Sequence, residues 1–174
     1  MFFAVFGYDY IMLKEKFREL EHRVLSEIMA YYGERLISVV LFGSVARETQ
    51  RFDSDIDLLI IALGLPSGRM KRVKEFSIVE DHLESFIQFL EKDGITTCLS
   101  PVFKTPEEAA GLSPLFFDMV EDARILFDKG EYFSEVLEKL KERFKTLGSK
   151  RVWIGNAWYW ELKPDYKPGE VFKI

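Results

Sequence analysis

Two aspartates that lie one residue apart follow a glycine–serine pair in this chain, and these four residues carry its clearest chemical signal. Gly43-Ser44 is separated from Asp55 by ten residues, and Ile56 alone stands between Asp55 and Asp57. In a β-strand, side chains two residues apart point to one face. Two neighbouring carboxylates repel each other unless a cation lies between them, and oxygen ligands favour Mg²⁺ or Mn²⁺. The spacing therefore predicts a Mg²⁺ or Mn²⁺ site at Asp55 and Asp57.

The glycine–serine pair ends an apolar run at residues 37–42, which is typical of a buried strand. Gly43 permits a sharp turn, and we expect Ser44 to cap a helix that begins at Val45. The hydroxyl of Ser44 and the first free N–H groups of that helix would then face an anionic phosphate. Arg47, on the first turn, either reaches the same phosphate or is an ordinary surface arginine. Gly43, Ser44 and Arg47 are thus predicted to bind nucleotide phosphates.

A purely structural interpretation of the same residues remains open. In it, Gly43-Ser44 is an ordinary turn, and the three aspartates at 53, 55 and 57 form a solvated entrance to a strand. Under either interpretation Asp53, together with Ser54, is expected to shape the turn that precedes the strand.

The elements around these residues predict an α/β (α+β) fold with a mixed β-sheet flanked by helices. Apolar residues recur at helical spacing over 10–32, 73–90 and 133–147, while Gly33 and Gly148 end two of these helices. Strands are expected to end at Ala62 and to span 95–104 and 124–128. Further helices start at Thr105-Pro106 and Ser113-Pro114. We expect a nucleotide-binding domain over 1–148 and an aromatic tail over 149–174 that packs on the domain or on a partner.

Composition restricts the class of protein. The chain has 174 residues, of which 48% are hydrophobic, and this argues for one folded domain with a proper core. The net charge of −5 gives no overall attraction to nucleic acid or to anionic membranes. One cysteine and two histidines exclude a disulfide framework and a zinc cluster. The apolar start lacks a basic segment and meets charge at Asp9, so we expect neither a signal peptide nor a membrane span, and a cytoplasmic protein.

The two motifs, each on its own apolar strand, resemble the signature of the DNA polymerase beta-type nucleotidyltransferase superfamily. The resemblance is clearest over 37–62, extends by order of elements to about residue 128, and is closest to the small stand-alone prokaryotic members, the minimal nucleotidyltransferases. It implies transfer of a nucleoside monophosphate from an NTP, ATP being the expected one, to a hydroxyl acceptor with Mg²⁺ or Mn²⁺. It implies that Asp55 and Asp57 are the catalytic and metal-binding residues and that Gly43 and Ser44 hold phosphates.

The chain departs from that family at one position. The resemblance implies a third acid on the next strand, which completes the metal cage and helps to deprotonate the attacking hydroxyl. The candidates there, Thr96, Thr97, Cys98 and Ser100, include no carboxylate. Other acids would have to fold back to replace it, namely Glu80, Asp81, Glu91 or Asp93.

The missing acid leaves more than one function open. The main hypothesis is the nucleotidyltransferase enzyme. The alternative is an antitoxin-like or regulatory nucleotide-binding subunit, with weak or no turnover, that pairs with a helical HEPN-type protein; a homodimer is also possible. An aminoglycoside-modifying enzyme would use the same chemistry.

A basic run opens the second long helix, with Arg69, Lys71, Arg72 and Lys74 in its first turns. These side chains would contact a triphosphate if this end of the helix projects over the strand that carries Asp55 and Asp57. The alternative is a solvated helix face, which is the usual place for a run of charge.

Overall fold

The structure is a computed structural model that describes the backbone of residues 2–172 and the side chains of residues 10–172. Its helices are α1 (Phe2–Tyr32), α2 (Gly43–Ala46), α3 (Arg69–Lys92), α4 (Pro106–Ala110), α5 (Leu115–Asp122) and α6 (Tyr132–Leu147). Its strands are β1 (Leu36–Phe42), β2 (Ile56–Ala62), β3 (Leu99–Lys104), β4 (Arg124–Asp128), β5 (Lys150–Ile154) and β6 (Ala157–Glu161).

The first four strands form a mixed sheet in the order β3-β2-β1-β4, which confirms the predicted fold class. β1 pairs antiparallel with β2 and β4, whereas β2 pairs parallel with β3. The middle residues of the two central strands, β1 and β2, are apolar on both faces because helices cover both faces of the sheet. β3 is an edge strand, as the proline at position 101 predicted.

Each face of the sheet has its own hydrophobic core. On one face, alternate residues of β2 such as Ile56, Leu58 and Ile60 pack with the long helices α1 and α3. On the other face, Leu59 and Ile61 pack with α4, α5 and α6. Asp57 has the same parity as Leu59 and Ile61, so its side chain lies on the face that the three later helices cover.

The Gly43-Ser44 turn, Asp57 and Ser100 lie at one end of the sheet. The last residue of β1, Phe42, pairs with Asp57 near the start of β2, and Asp57 in turn pairs with Ser100 near the start of β3. The α2 turn leaves β1 at this same end. The sheet thus brings the glycine–serine turn, the aspartate pair and the third strand together.

Three local predictions were wrong. Ser44 does not cap a helix that begins at Val45, because α2 already begins at Gly43, Phe42 occupies the cap position, and no side chain caps the helix. β3 begins at Leu99 rather than at residue 95. β2 begins at Ile56, so Asp55 lies just before the strand and strand alternation does not apply to it.

The basic start of α3 lies at the opposite end of the sheet from the aspartates. Arg72 donates to the carbonyls of Pro66 and Phe103 and pairs with both carboxylate oxygens of Glu108, at 2.6 and 2.9 Å. A cavity of about 440 Å³ adjoins Arg69 and Arg72 there. The basic run therefore does not meet the condition for contact with a triphosphate at the carboxylates, because Arg72 joins α3 to the far end of β3.

The residues after α6 form a β-hairpin, which the sequence pattern did not predict. β5 and β6 pair antiparallel, with Arg151 opposite Trp160 and Trp153 opposite Trp158. The Trp160 ring packs on Phe144 of α6, with 4.7 Å between ring centroids. The indole Nε1–H groups of Trp158 and Trp160 both donate to Asp118 of α5, at 2.8 Å each. The hairpin therefore packs on the chain's own helices, while a domain boundary at 148/149 stays a prediction.

Among the helices of the described residues, none combines the length and the apolar character that would be needed to cross a membrane.

Candidate functional site

The backbone of Gly43 lies close to the carboxylate of Asp57. Gly43 has a φ of +71°, a conformation that favours glycine, and a Cβ at this position would lie 2.0 Å from Oδ2 of Asp57. The pairing of Phe42 with Asp57 produces this contact, because it places the residue after Phe42 directly over the aspartate side chain. Glycine is required here both for the turn and for the space that the carboxylate occupies.

Asp55 is held by the segment that leads into β3. Its Oδ1 accepts hydrogen bonds from the backbone N–H of Cys98 at 3.3 Å and from the Cys98 thiol at 3.1 Å. The N–H of Ile56 donates to the carbonyl of Cys98 at 2.9 Å, so the two segments also pair through the backbone. These contacts fix an exposed carboxylate in place although it lies outside the strand.

The two aspartates interact electrostatically. Burial raises the pKa of Asp57 above its ordinary value, and the negative charge of Asp55 raises it further, while Ser100 and Arg47 act in the opposite direction. The net shift is upward, so the ionised form of Asp57 is disfavoured in this site. A cation bound between the carboxylates would relieve both causes, and the all-oxygen donor set suits Mg²⁺ or Mn²⁺.

Ser100 lies beside Asp57, on the strand where the family resemblance implies a third acid. The register of β2 and β3 sets these two residues side by side, and the Ser100 hydroxyl lowers the pKa of Asp57. None of the acids considered as replacements joins the pair: in the described part of the chain, no group of three His, Cys, Asp or Glu side chains is arranged to hold a metal ion. Asp93, for example, pairs with Lys16 at 3.0 Å. The site is therefore built on two carboxylates and a hydroxyl.

Cys98 is a neutral thiol in this environment. Burial, the hydrogen bond to Asp55 and the charges of Asp55, Glu80 and Asp57 raise its pKa to about 11. A thiolate is the reactive form of cysteine, so Cys98 is unsuited to act as a nucleophile at neutral pH. Its role in the site is to donate to Asp55.

Arg47 lies between the aspartates and the C-terminal hairpin. Its positive charge lowers the pKa of Asp57. Its guanidinium carbon lies over the Trp158 ring, 5.1 Å from the centroid, and its Nη1 is 3.9 Å from Oδ2 of Asp122. Arg47 therefore brings a cation to the side of the site that faces α5 and β6.

The structure thus brings together Gly43, Arg47, Asp55 and Asp57, while their roles in binding a cation or phosphates stay a prediction. Ser44 is half-buried in the same turn, where its carbonyl accepts a hydrogen bond from the N–H of Thr49 at 2.9 Å.

The sequence pattern did not indicate Asp122 and Trp158, which lie next to Arg47, or Arg151 and Asp118, which contact those two residues. The run of tryptophans at 153–160 was a visible signal, but nothing in the chain order linked it to position 47.

The part of the chain that carries Asp55 and Asp57 is similar in sequence to known proteins. Residues 22–127 match the family model of the nucleotidyltransferase domain. A protein of Methanocaldococcus jannaschii named "Putative protein adenylyltransferase MJ1305" is 31% identical over 133 residues, which cover 75% of this chain and 84% of that protein.

Solved structures show weaker likeness. A toxin–antitoxin crystal structure with AMP-PNP contains a chain that is 16% identical, with a TM-score of 0.48 over 73% of this chain and 88% of that one. A crystal structure of the toxin–antitoxin MntA-HepT contains a chain that is 14% identical, with a TM-score of 0.44 over 74% of this chain and 88% of that one.

Gly43→Ala tests the contact between the turn and Asp57. Its matched control is Gly130→Ala, because Gly130 has a similar φ of +62° but a Cβ added there would meet no atom within 4 Å. The left-handed backbone costs both variants roughly 1–2 kcal/mol, and Gly43→Ala loses about 1–3 kcal/mol more because Asp57 must move. We expect this difference in urea unfolding, together with loss of Mn²⁺ stabilisation in Gly43→Ala alone. Equal behaviour of the two variants would contradict the contact.

Asp57→Asn tests the charge repulsion in the site. A carboxyl whose pKa is higher in the folded than in the unfolded protein gives up stability as the pH rises from about 4, the unfolded value, through its folded pKa. At pH 7 without divalent cations, we therefore expect Asp57→Asn to melt at the same temperature as the unchanged protein or above it. Mg²⁺ or Mn²⁺ should raise the melting temperature of the unchanged protein and leave the variant unaffected.

The control for this measurement is Asp53→Asn, which removes an exposed carboxylate close by that pairs only loosely with Arg51, at 3.6 Å. We expect it to keep the full cation response. A clear drop in the melting temperature of cation-free Asp57→Asn would mean that the carboxylate stabilises the fold, contrary to the pKa direction.

Proposed function

The chain belongs to the nucleotidyltransferase domain family, and from this premise we propose that it transfers AMP from ATP to a hydroxyl group of a protein, with Mg²⁺ or Mn²⁺ at Asp55 and Asp57. The observation that carries the proposal is the close approach of the Asp57 carboxylate to the Gly43 turn, because it would set the proposed cation ligands against the proposed phosphate-binding segment. The M. jannaschii relative, whose name specifies a protein adenylyltransferase, supports ATP as donor and a protein as acceptor.

The residues of the site divide the work between binding and orientation. Asp55 and Asp57 would hold the cation, which when bound neutralises charge on the phosphates and favours departure of pyrophosphate. The Gly43-Ser44 turn would contact the phosphates through the Ser44 hydroxyl and backbone N–H groups, and Arg47 would add a positive charge. Cys98 keeps Asp55 oriented by its two hydrogen bonds. Most of the rate would thus come from positioning and charge neutralisation.

The transfer step forms one bond and breaks another. The acceptor oxygen bonds to the α-phosphorus, and the bond from that phosphorus to the pyrophosphate oxygen breaks. The acceptor hydroxyl must also lose its proton. The Ser100 hydroxyl is unsuited to accept it at neutral pH, so we expect slower turnover than in a site with a third carboxylate.

The activity test compares Asp55→Asn and Asp57→Asn with the unchanged protein and with Asp53→Asn. Transfer of labelled AMP from ATP to protein from the native host, in Mg²⁺ or Mn²⁺, should fall by about 10²–10⁴-fold in the first two variants, because they lose the charge that holds the cation. Asp53→Asn should retain activity. Equal transfer by all four proteins would rule out this site.

Ser100→Asp tests whether the missing acid limits the rate. It places a third carboxylate beside Asp57 in the register of β2 and β3. We expect tighter Mn²⁺ binding, measured by calorimetry, and a higher rate of AMP transfer, because the new acid can both bind the cation and accept the proton. Thr96→Asp is the control: it adds the same charge at an exposed position before β3. A gain of equal size in both variants would point to general charge rather than to the third-acid position.

The alternative of an antitoxin-like subunit with a HEPN-type partner stays a prediction, and Ser100 in place of an acid is the observation that favours it. It would be preferred if the protein binds ATP with Mg²⁺ and transfers nothing to any host protein.

A further inference from the structure

The C-terminal hairpin contacts Arg47 although it is more than 100 residues away in the chain. The guanidinium groups of Arg47 and Arg151 lie over the Trp158 ring, 5.1 and 5.2 Å from its centroid. Both guanidinium groups also approach the same carboxylate oxygen, Oδ2 of Asp122. The hairpin therefore determines which contacts are open to Arg47.

Arg151 pairs with both carboxylate oxygens of Asp122. Its Nη1 and Nη2 donate to Oδ2 and Oδ1 of Asp122 at 2.5 and 3.1 Å, which is a two-bond pairing of guanidinium and carboxylate. Arg47, at 3.9 Å from Oδ2, lies beyond hydrogen-bond distance. Within residues 10–172, no hydrogen bond from the Arg47 guanidinium is found. Its N–H groups thus remain available to another acceptor.

Trp158 offers Arg47 a fixed surface. The indole Nε1–H of Trp158 donates to Asp118 at 2.8 Å, and the neighbouring Trp160 donates to the same carboxylate while packing on Phe144. A cation over an aromatic ring is attracted by the electrons of the ring and need not donate a conventional hydrogen bond to it, so the N–H groups of the guanidinium keep their capacity for an anionic partner. The ring therefore holds Arg47 without consuming its donors.

We propose that the hairpin is a positioning element for the triphosphate: Arg151 keeps Asp122 occupied, and Trp158 supports Arg47, so that the Arg47 guanidinium is free to bind the phosphate tail of the NTP. The inference rests on the proposed function, since it assumes that the triphosphate binds beside Asp57. It assigns Arg151 and Trp158, which lie in the hairpin, a role in nucleotide affinity. Neither residue needs to touch the nucleotide.

The decisive experiment is a rescue. In Arg151→Gln, Asp122 loses its partner and can capture Arg47, so the Kd for inorganic tripolyphosphate with Mg²⁺ should rise about 10-fold, the effect of losing one charge-assisted hydrogen bond. Adding Asp122→Asn removes the competing charge and should restore the Kd to within about 2-fold of the unchanged protein. A hairpin that served only packing would give the opposite result, because the second substitution would weaken binding further or leave it weak.

Further variants separate the role of Trp158 and guard against misfolding. Trp158→Leu should raise the Kd for tripolyphosphate about 3- to 10-fold because it removes the aromatic face, and Trp158→Phe should recover part of the loss. Tyr159→Ala, on the opposite face of the hairpin and 49% exposed, is the matched control and should leave the Kd unchanged. If Arg151→Gln fails to fold, Arg151→Lys keeps the charge and should give an intermediate Kd that Asp122→Asn again restores.

The outcomes distinguish this inference from the proposed function. If the unchanged protein binds neither tripolyphosphate nor ATP and transfers no AMP, the proposed function fails and the inference fails with it. If the unchanged protein binds and transfers but Asp122→Asn does not restore binding in the Arg151 variants, the positioning role alone is overturned. Recovery of the tripolyphosphate Kd, with Tyr159→Ala unaffected, supports it.

Discussion

The close approach of the Gly43 backbone to the Asp57 carboxylate is the constraint on which the rest of the site depends. The contact exists because β1 and β2 pair so that Phe42 faces Asp57 and because position 43 carries no side chain. Any Cβ there would occupy the position of the carboxylate. The same pairing turns the chain into α2 next to the aspartate, so that the Gly43-Ser44 turn and the acid share one end of the sheet.

The electrostatics of that end are unbalanced without a cation. Burial and Asp55 both raise the pKa of Asp57, and Ser100 and Arg47 offset this only in part. A site of this kind loses stability in order to keep two carboxylates together, which is common where function rather than folding selects the residues. In the proposed reaction, a hydroxyl instead of a third acid would still let the site bind a cation and phosphates, but it would leave the proton of the acceptor without a dedicated base.

The hairpin extends the site beyond the part of the chain that matches the family model. The match ends at residue 127, whereas Arg151 and Trp158 lie in β5 and β6. Its tryptophans are fixed through Asp118 and through packing on α6, so the hairpin is joined to the domain by directional contacts as well as by apolar area. Because Trp158 lies beside Arg47, a segment outside the matched region contacts a residue of the candidate site.

The sequence by itself determined the fold class, the pairing of an apolar strand with the glycine turn, and the identity of the two aspartates. These features are local. A strand buried on both faces must be apolar throughout, and a turn with a positive φ favours glycine. Tertiary structure alone decided that Ser100 lies beside Asp57, that Cys98 holds Asp55, that Arg72 contacts the far end of the sheet, and that Trp158 of the hairpin lies beside Arg47. Strand register, helix orientation and contacts between residues a hundred positions apart depend on how the elements pack together, and no short-range pattern in the chain encodes that packing.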